Sequence, residues 1–166
     1  WIYDPVPDFT YGFNIYLEYK NFDFTAFFQG VQGVDIISDL KRETDIWAGL
    51  NIGFLNKGHR LLNAWCVDNP SSNIPAVTLS DNNNEKRVST YFVENGSFLK
   101  LRNIQLGYNV PRTFAQKMKM ERLRFYLSAQ NVFTIKSKEF TGVDPENANY
   151  GYPIPINITF GINVGF

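Results

Sequence analysis

The side chains most capable of chemistry in this sequence are too scattered to build a catalytic centre. His59 is the only histidine and Cys66 the only cysteine, so a Ser–His pair, a metal cluster or a disulfide framework would lack partners. Asp144 and Glu146 flank Pro145 in a Gly-rich loop, a pattern that favours a turn over paired-carboxylate catalysis. We therefore predict no enzymatic activity and no cofactor.

Two weaker binding patterns point the same way. Asp68, Asp81 and the asparagines at 82–84 could offer oxygen ligands to calcium, but their spacing fits no EF-hand loop. Gly49 and Gly53 are not followed by the Lys-Ser/Thr pair of a phosphate-binding loop. Sixteen basic and sixteen acidic residues cancel, so the net charge does not indicate a nucleic-acid partner. The sequence predicts neither a resident metal nor a nucleotide site.

Four residues of a long segment, 31–96, are the candidate substrate-binding positions. Trp47 and Trp65 could stack on a sugar ring or seal an interface with a lid, and Asp68 and Asn69 lie close to Trp65 in the sequence. Packing of the loop on itself is the alternative explanation for both tryptophans. A connection of this length is far beyond a hairpin loop, which predicts either a functional or a disordered segment.

The last stretch, 156–166, has the clearest periodicity in the chain. Apolar residues occupy every even position from Ile156 to Phe166, and small or polar residues occupy every odd one. At about 3.3 Å per residue the stretch is roughly 36 Å long, and a 45° tilt reduces its height to about 25 Å. This is the height of the lipid-facing band of an outer-membrane barrel, although a soluble β-sandwich could use such a strand too.

The same alternation predicts further strands. The predicted strands span residues of about 11–20, 21–30, 97–110, 121–133 and 156–166. Lys20 and Asn21 form a tight turn, with Asn21 suited to positive φ. The apolar phase slips at Asn103, which indicates either a bulge or snorkelling of Lys100 and Arg102 at an interface.

Two helical pieces are expected between the strands. A short helix is predicted within 40–54, with Ile46, Trp47 and Leu50 on one side. A helical turn is predicted over 111–120, with Pro111 at its first position.

The connections alternate between short and long, which is typical of outer-membrane barrels with short periplasmic turns. An outward-facing Arg at mid-membrane costs about 2–4 kcal/mol, which places Arg122 and Arg124 on the lumen side. Aromatic girdles are predicted at two heights. The periplasmic girdle contains Tyr19, Phe22, Tyr108 and Phe166, and the outer one contains Phe28 and Phe133.

Five strands are too few to close a barrel, so both sheet edges would be open in lipid at several kcal/mol per unpaired group. The sequence therefore predicts the C-terminal piece of a larger barrel, or one chain of an assembly that supplies the other strands. No apolar run approaches the roughly 20 residues of a transmembrane helix, and residues 1–10 lack the pattern of a signal peptide. We expect the chain to begin within a longer protein.

Several stretches, taken in order, resemble the C-terminus of SusC/RagA-type TonB-linked outer-membrane transporters. They are FTAFFQGVQGVDI (24–36), WCVDNPSSNIP (65–75), FVENGSFLKLRNIQLGYNVP (92–111), LRFYLSAQNVFT (123–134), FTGVDPE (140–146), YGYPIP (150–155) and ITFGINVGF (158–166). The resemblance covers nearly the whole chain. It departs at Cys66, where the family usually carries a basic residue.

The resemblance implies a 22-stranded transmembrane β-barrel with a plugged lumen, all-β and antiparallel, of which residues 1–166 are the C-terminal part. It also implies an outer-membrane location in a Bacteroidetes-like cell and import of oligosaccharides or peptides. The implied partners are a SusD-like lipoprotein and the TonB complex, the latter acting through the N-terminal part of the family, together with the plug and the remaining strands. Phe166 matches the terminal aromatic recognised during barrel assembly. The alternatives are a soluble β-sandwich carbohydrate-binding module and a passive barrel without a plug.

Overall fold

The computed structural model describes residues 2–46, 57–78, 84–85, 87–148 and 151–166. The chain divides into two compact units. The sheet unit consists of residues 8–32, 97–136 and 154–166, and the loop unit consists of residues 1–7, 33–96 and 137–153. No helix in the described part of the chain is both long enough and apolar enough to cross a bilayer.

The sheet unit is one antiparallel sheet of five strands in the order β1-β2-β5-β6-β7. Its strands are β1 Phe9–Tyr19, β2 Phe22–Gln32, β5 Phe98–Asn109, β6 Arg122–Lys136 and β7 Asn157–Gly165. The predicted all-β antiparallel fold is confirmed. β1 starts two residues earlier and β6 runs three residues further than the sequence pattern indicates, and within the described sheet β1 and β7 each pair on one side only.

The strand register places most apolar residues of all five strands on one face. Phe24 pairs with Leu17 on one side and with Leu106 on the other, and Leu127 continues the same row between Leu106 and Phe160. Since side chains alternate along each strand, the intervening polar residues share the opposite face. The apolar face and the polar face of the sheet are named accordingly below. The face assignment made from the sequence agrees with this register.

A bulge interrupts the ladder where the apolar phase slips. Leu101 pairs with Phe28 and Asn103 with Phe27, which leaves Arg102 as the extra residue of β5. The extra residue keeps Leu101 and Ile104 on the same face although their positions differ in parity. The bulge explanation is confirmed. Snorkelling at Lys100 is wrong, because this side chain is fully buried.

Two turns, β1–β2 and β5–β6, lie at the same end of the sheet, which is called the short-turn end below. The β1–β2 turn has its positive φ, 55°, at Lys20, so the expectation for Asn21 is wrong: the left-handed backbone falls on the first loop residue. Between β5 and β6 lies a short helix, α2 Arg112–Lys117. Pro111 is its N-cap and therefore lies one residue before the expected position.

The loop unit contains a small two-stranded sheet that the sequence pattern did not indicate. β3 Asp35–Ile37 pairs antiparallel with β4 Val93–Asn95. Helix α1 Asp39–Asp45 follows β3 and is capped by the Ser38 hydroxyl, which accepts from the Lys41 amide at 3.3 Å. The described part of the unit also contains two 3₁₀ turns, His59–Asn63 and Thr90–Phe92. The predicted helix over 40–54 is thus confirmed only in its first part, and Trp47 and Leu50 lie outside the described residues.

Candidate functional site

The polar face of the sheet carries an ion pair near the short-turn end. Arg124 on β6 donates from Nη2 to Asp23 Oδ1 at 2.5 Å and from Nε to Oδ2 at 3.2 Å. Asn109 adds a third donor to Asp23 Oδ2 at 3.1 Å. The pair lies directly over Gly107, where a Cβ would overlap both charged groups. A glycine on the middle strand therefore makes room for a bidentate pair between its two neighbours.

Aromatic rings cover other glycines of the sheet. The Tyr126 ring lies over Gly161 on the polar face, and a Cβ there would overlap the ring. The guanidinium carbon of Arg124 is 5.7 Å from the centre of the same ring. Cross-strand coverage of a glycine by an aromatic side chain fixes the pairing register of neighbouring strands. The polar face is therefore an ordered wall of charges, amides and rings.

Much of the apolar face is exposed, although Ala26 and Leu101 within it are buried. Ile158 and Phe160 on β7 are 72% and 65% exposed, and the Phe160 ring stacks beside Phe125 with centroids 6.4 Å apart. Phe22 pairs with Tyr19 and with Tyr108, giving a cross-strand aromatic row at the short-turn end of the sheet. Large contiguous apolar patches are rare on soluble monomers and mark membrane or partner surfaces.

Aromatic residues also mark the far end of the apolar face. Phe28 and Phe133 lie in one row, about 20 Å along the strand from Phe22, which is short of the strand ends. Phe9 and Tyr11, with ring centroids 5.8 Å apart, lie beyond that row. The sequence analysis missed Phe9 because it began β1 at residue 11.

Two buried carboxylates organise the loop unit. Asp45, at the end of α1, accepts from Arg60 Nε at 2.6 Å and from the Tyr91 hydroxyl at 2.5 Å. Its side chain has no exposed surface. Thr44 donates to the same carboxylate at 3.1 Å. Asp45 therefore ties α1 to both 3₁₀ turns.

The second carboxylate is Glu94 on β4. It pairs with Lys41 at 2.9 Å, and it accepts from the backbone amide and hydroxyl of Thr141 at 2.9 and 2.7 Å. Thr141 belongs to the connection between β6 and β7, so this contact joins segments that are 47 residues apart in sequence. Removing one partner of such a buried pair typically costs about 3–5 kcal/mol.

The protonation of Tyr91 is tied to this network. Burial raises the pKa of Tyr91 above its usual range, and the hydrogen bond to Asp45 raises it further. The ring is also contacted by the Lys41 ammonium, 5.1 Å from its centre. Tyr91 therefore remains a neutral hydroxyl donor to Asp45 at physiological pH.

The predicted substrate-binding residues lie in a turn-rich stretch, 63–74, except for Trp47, which falls outside the described residues. Trp65 is 45% exposed, and its backbone amide donates to Ile74 O at 2.9 Å. Asp68 is exposed, whereas the Asn69 side chain donates to Asn63 O at 3.2 Å. The structure thus places an exposed indole and carboxylate on a loop that Asn69 helps to shape.

Turn formation at 144–146 is confirmed, because Asp144 Oδ1 accepts from the Glu146 amide at 3.0 Å. Cys66 is an exposed free thiol, and His59 begins a 3₁₀ turn. Within the described residues, no three His, Cys, Asp or Glu side chains cluster as metal ligands would.

Known receptors and a solved importer resemble this chain over nearly its whole length. No family model matches the chain. The TonB-dependent receptor P3 of Formosa agariphila is 35% identical over 179 residues, which covers 98% of this chain and 17% of that receptor. The TonB-dependent receptor SusC of Bacteroides thetaiotaomicron is 28% identical over 98% of the chain. The RagAB peptide importer in its open-open state superposes on 97% of the chain with a TM-score of 0.79 at 29% identity.

The chain matches a segment of TonB-dependent receptors of the SusC/RagA type. It spans 17% of the length of the first of these curated relatives and 15% of SusC. The five-stranded sheet is accordingly a segment of a transmembrane β-barrel. In this family setting the exposed apolar face is the lipid-facing wall, and the face with Asp23 and Arg124 is the lumen wall. The soluble β-sandwich is not favoured, because Ile158 and Phe160 are largely exposed among the described residues.

Proposed function

We propose that the parent protein is an energised importer of the outer membrane that takes up oligosaccharides or peptides. Residues 1–166 supply part of its barrel wall and of the connections between wall strands. The continuous apolar face across five strands is the observation that carries this proposal. It is supported by relatives named as TonB-dependent receptors and by the likeness to a peptide importer.

Energy coupling and lid closure are assigned to partners of this chain. The TonB complex acts through segments of the parent protein outside these residues, and a SusD-like lipoprotein covers the outer mouth of the barrel. The chain contributes a lumen wall whose Arg124–Asp23 pair is held by cross-strand hydrogen bonds. Such a wall presents fixed charges to a plug or to a passing substrate.

The substrate contacts assigned to this chain are Trp65, Asp68 and Asn69, with Trp47 as a further candidate. Trp65 is exposed on a loop whose backbone is fixed by hydrogen bonds, including Ser72 Oγ to Asn63 O at 2.5 Å. An exposed indole on a fixed loop contacts a sugar ring, an apolar peptide side chain or a lid at little entropic cost. Asp68 adds an acceptor for hydroxyl or amide groups.

Phe166 is assigned as the assembly signal of the barrel. It follows the last residue of β7 and is 85% exposed. An exposed terminal aromatic leaves its ring available to an assembly partner. Deletion of Phe166 should reduce the amount of folded receptor in the outer membrane, measured by heat-dependent gel mobility, whereas Phe166→Tyr should not.

Uptake by whole cells tests the proposal. Cells expressing the full-length receptor with its neighbouring lipoprotein are offered labelled oligosaccharides and labelled peptides, with and without a functional TonB complex. We expect uptake of one class, and loss of that uptake when the TonB complex is disrupted. Uptake that persists without TonB would indicate a passive barrel and contradict the proposal.

The loop assignment has its own test and control. Trp65→Ala should weaken binding of the imported class to the purified receptor–lipoprotein complex by about 2 kcal/mol, or roughly 30-fold, if the indole is an anchor. Val67→Ala is the matched control, since Val67 is 86% exposed in the same loop. Equal affinities in both variants would remove Trp65 from the site and leave the transport function standing.

A further inference from the structure

The turn between β5 and β6 carries apolar side chains that the barrel wall does not explain. Phe114 lies in the short helix α2 and Met118 is its C-cap, and these side chains are 60% and 57% exposed. Ala115, between them, is fully buried and anchors the helix. The Met120 amide donates to Ala115 O at 3.0 Å and closes the helix end. The two exposed side chains are therefore held in place by an ordered turn.

Helical geometry separates this turn into two sides. At about 100° per residue, Arg112 and Gln116 share one side, and Phe114 and Met118 lie roughly opposite. The first side lines an open cleft of about 610 Å³ together with Arg122. Arg122 pairs with Gly165 on the polar face of the sheet. Phe114 and Met118 thus face away from the polar face, towards the apolar one.

The apolar side of the turn continues an aromatic row of the sheet. α2 joins β5 to β6 at the short-turn end of the sheet, where Phe22 and Tyr108 pack with ring centroids 4.8 Å apart. Tyr19, 71% exposed, ends the same row on β1. Aromatic residues at this height mark the boundary between hydrocarbon and headgroups in a transmembrane barrel. Phe114 and Met118 therefore lie next to an interface that the barrel already makes.

The charges around the turn suit a headgroup layer. Residues 111–122 contain four basic side chains and one acidic one, in a chain whose net charge is zero. The Lys117 ammonium is 5.6 Å from the centre of the exposed Phe114 ring. An apolar ring with a lysine over it matches the amphipathic pattern of segments that lie in a membrane interface.

We infer that α2 is an interfacial anchor that inserts Phe114 and Met118 into the phospholipid of the periplasmic leaflet. Lys117, beside the Phe114 ring, contacts lipid phosphates from the aqueous side. The anchor fixes the height of the β5–β6 turn against the membrane. This role depends on the barrel fold and is independent of which substrate is imported.

Photocrosslinking in a defined bilayer tests the anchor. A benzophenone amino acid replaces Met118 or, in a second variant, Phe114 of the full-length receptor. The control variant carries it in place of Gln116, which is also exposed but lies on the cleft side. Each folded receptor, verified by heat-dependent gel mobility, is irradiated in nanodiscs of phosphatidylethanolamine and phosphatidylglycerol. Adducts are identified by intact mass.

We expect phospholipid adducts at positions 114 and 118, several-fold above those at position 116. Equal lipid adduction at all three positions, or none at 114 and 118, would overturn the anchor. Adducts to another protein at position 118 in whole cells, without lipid adducts, would also overturn it and indicate a periplasmic partner. None of these outcomes bears on uptake, so the anchor and the proposed transport function are tested separately.

Discussion

An arginine introduced at mid-height on either face of the sheet tests which face meets lipid and which meets the lumen. Leu127 is 51% exposed on the apolar face, five residues from the strand end at Arg122. This distance is about 17 Å along a strand, or about 12 Å of height at a 45° tilt, which is near the middle of a band about 25 Å tall. Leu127→Arg therefore places a guanidinium at the bilayer midplane.

The expected cost follows from this depth. An arginine at the midplane costs about 2–4 kcal/mol, which lowers the ratio of folded to unfolded receptor by about 30-fold to nearly 1,000-fold. Ser128→Arg is the matched control, because Ser128 pairs with Gln105 and Thr159 on the polar face. Val164→Arg, near the strand end, should cost about 0–1 kcal/mol.

Denaturant titration of the full-length receptor in phospholipid vesicles, followed by heat-dependent gel mobility, measures these differences. The expected order of destabilisation is Leu127→Arg first, with Val164→Arg and Ser128→Arg both small. Equal losses for Leu127→Arg and Ser128→Arg would refute the assignment of faces. A loss for Val164→Arg as large as that for Leu127→Arg would refute the estimate of depth.

Two further predictions concern single contacts. Gly161→Ala should destabilise the barrel by about 1–3 kcal/mol, since the new methyl overlaps the Tyr126 ring. Gly165→Ala is the control and should be near neutral, because the nearest atom to the new methyl is 3.5 Å away. Equal unfolding midpoints for the two variants would contradict the ring contact. Because the Tyr91 pKa is raised, the contact with Asp45 is fully present below the usual tyrosine pKa of about 10 and is lost only at higher pH, as the folded-state pKa is passed. The absorbance difference between wild type and Tyr91→Phe should therefore contain no tyrosinate at pH 10, and a tyrosinate signal there would show that Tyr91 is not buried against Asp45.

The strands of the barrel wall could be predicted from the sequence because the alternation of apolar and polar residues lies within each strand. Alternation with a period of two assigns Leu127 and Ser128 to opposite faces without knowledge of any neighbour. The bulge at Arg102 was recognisable for the same reason, as a break in one strand's own pattern. The turn at Lys20 shows the limit of such reasoning. Residue preference pointed to Asn21, but the strand geometry placed the left-handed backbone one residue earlier.

Apart from part of α1 and the turn at 144–146, the loop unit could not be predicted, because its contacts join residues far apart in sequence. β3 and β4 contain only three residues each, too few for a periodic signal, and they pair across more than fifty residues. Asp45 and Glu94 look like ordinary surface carboxylates in the sequence. They become the centre of the unit only through Arg60, Tyr91 and Lys41.

The two units therefore differ in how sequence change should affect them. On the apolar face any residue of sufficient hydrophobicity satisfies the bilayer, so Ile158 could become Leu or Val at little cost. In the loop unit a change at Asp45 or Glu94 leaves buried donors or a buried charge without a partner, which costs several kcal/mol. Exposed positions such as Trp65 and Asp68 carry no such penalty. The sequence can therefore change at these exposed positions while the buried carboxylates keep the loop framework in place.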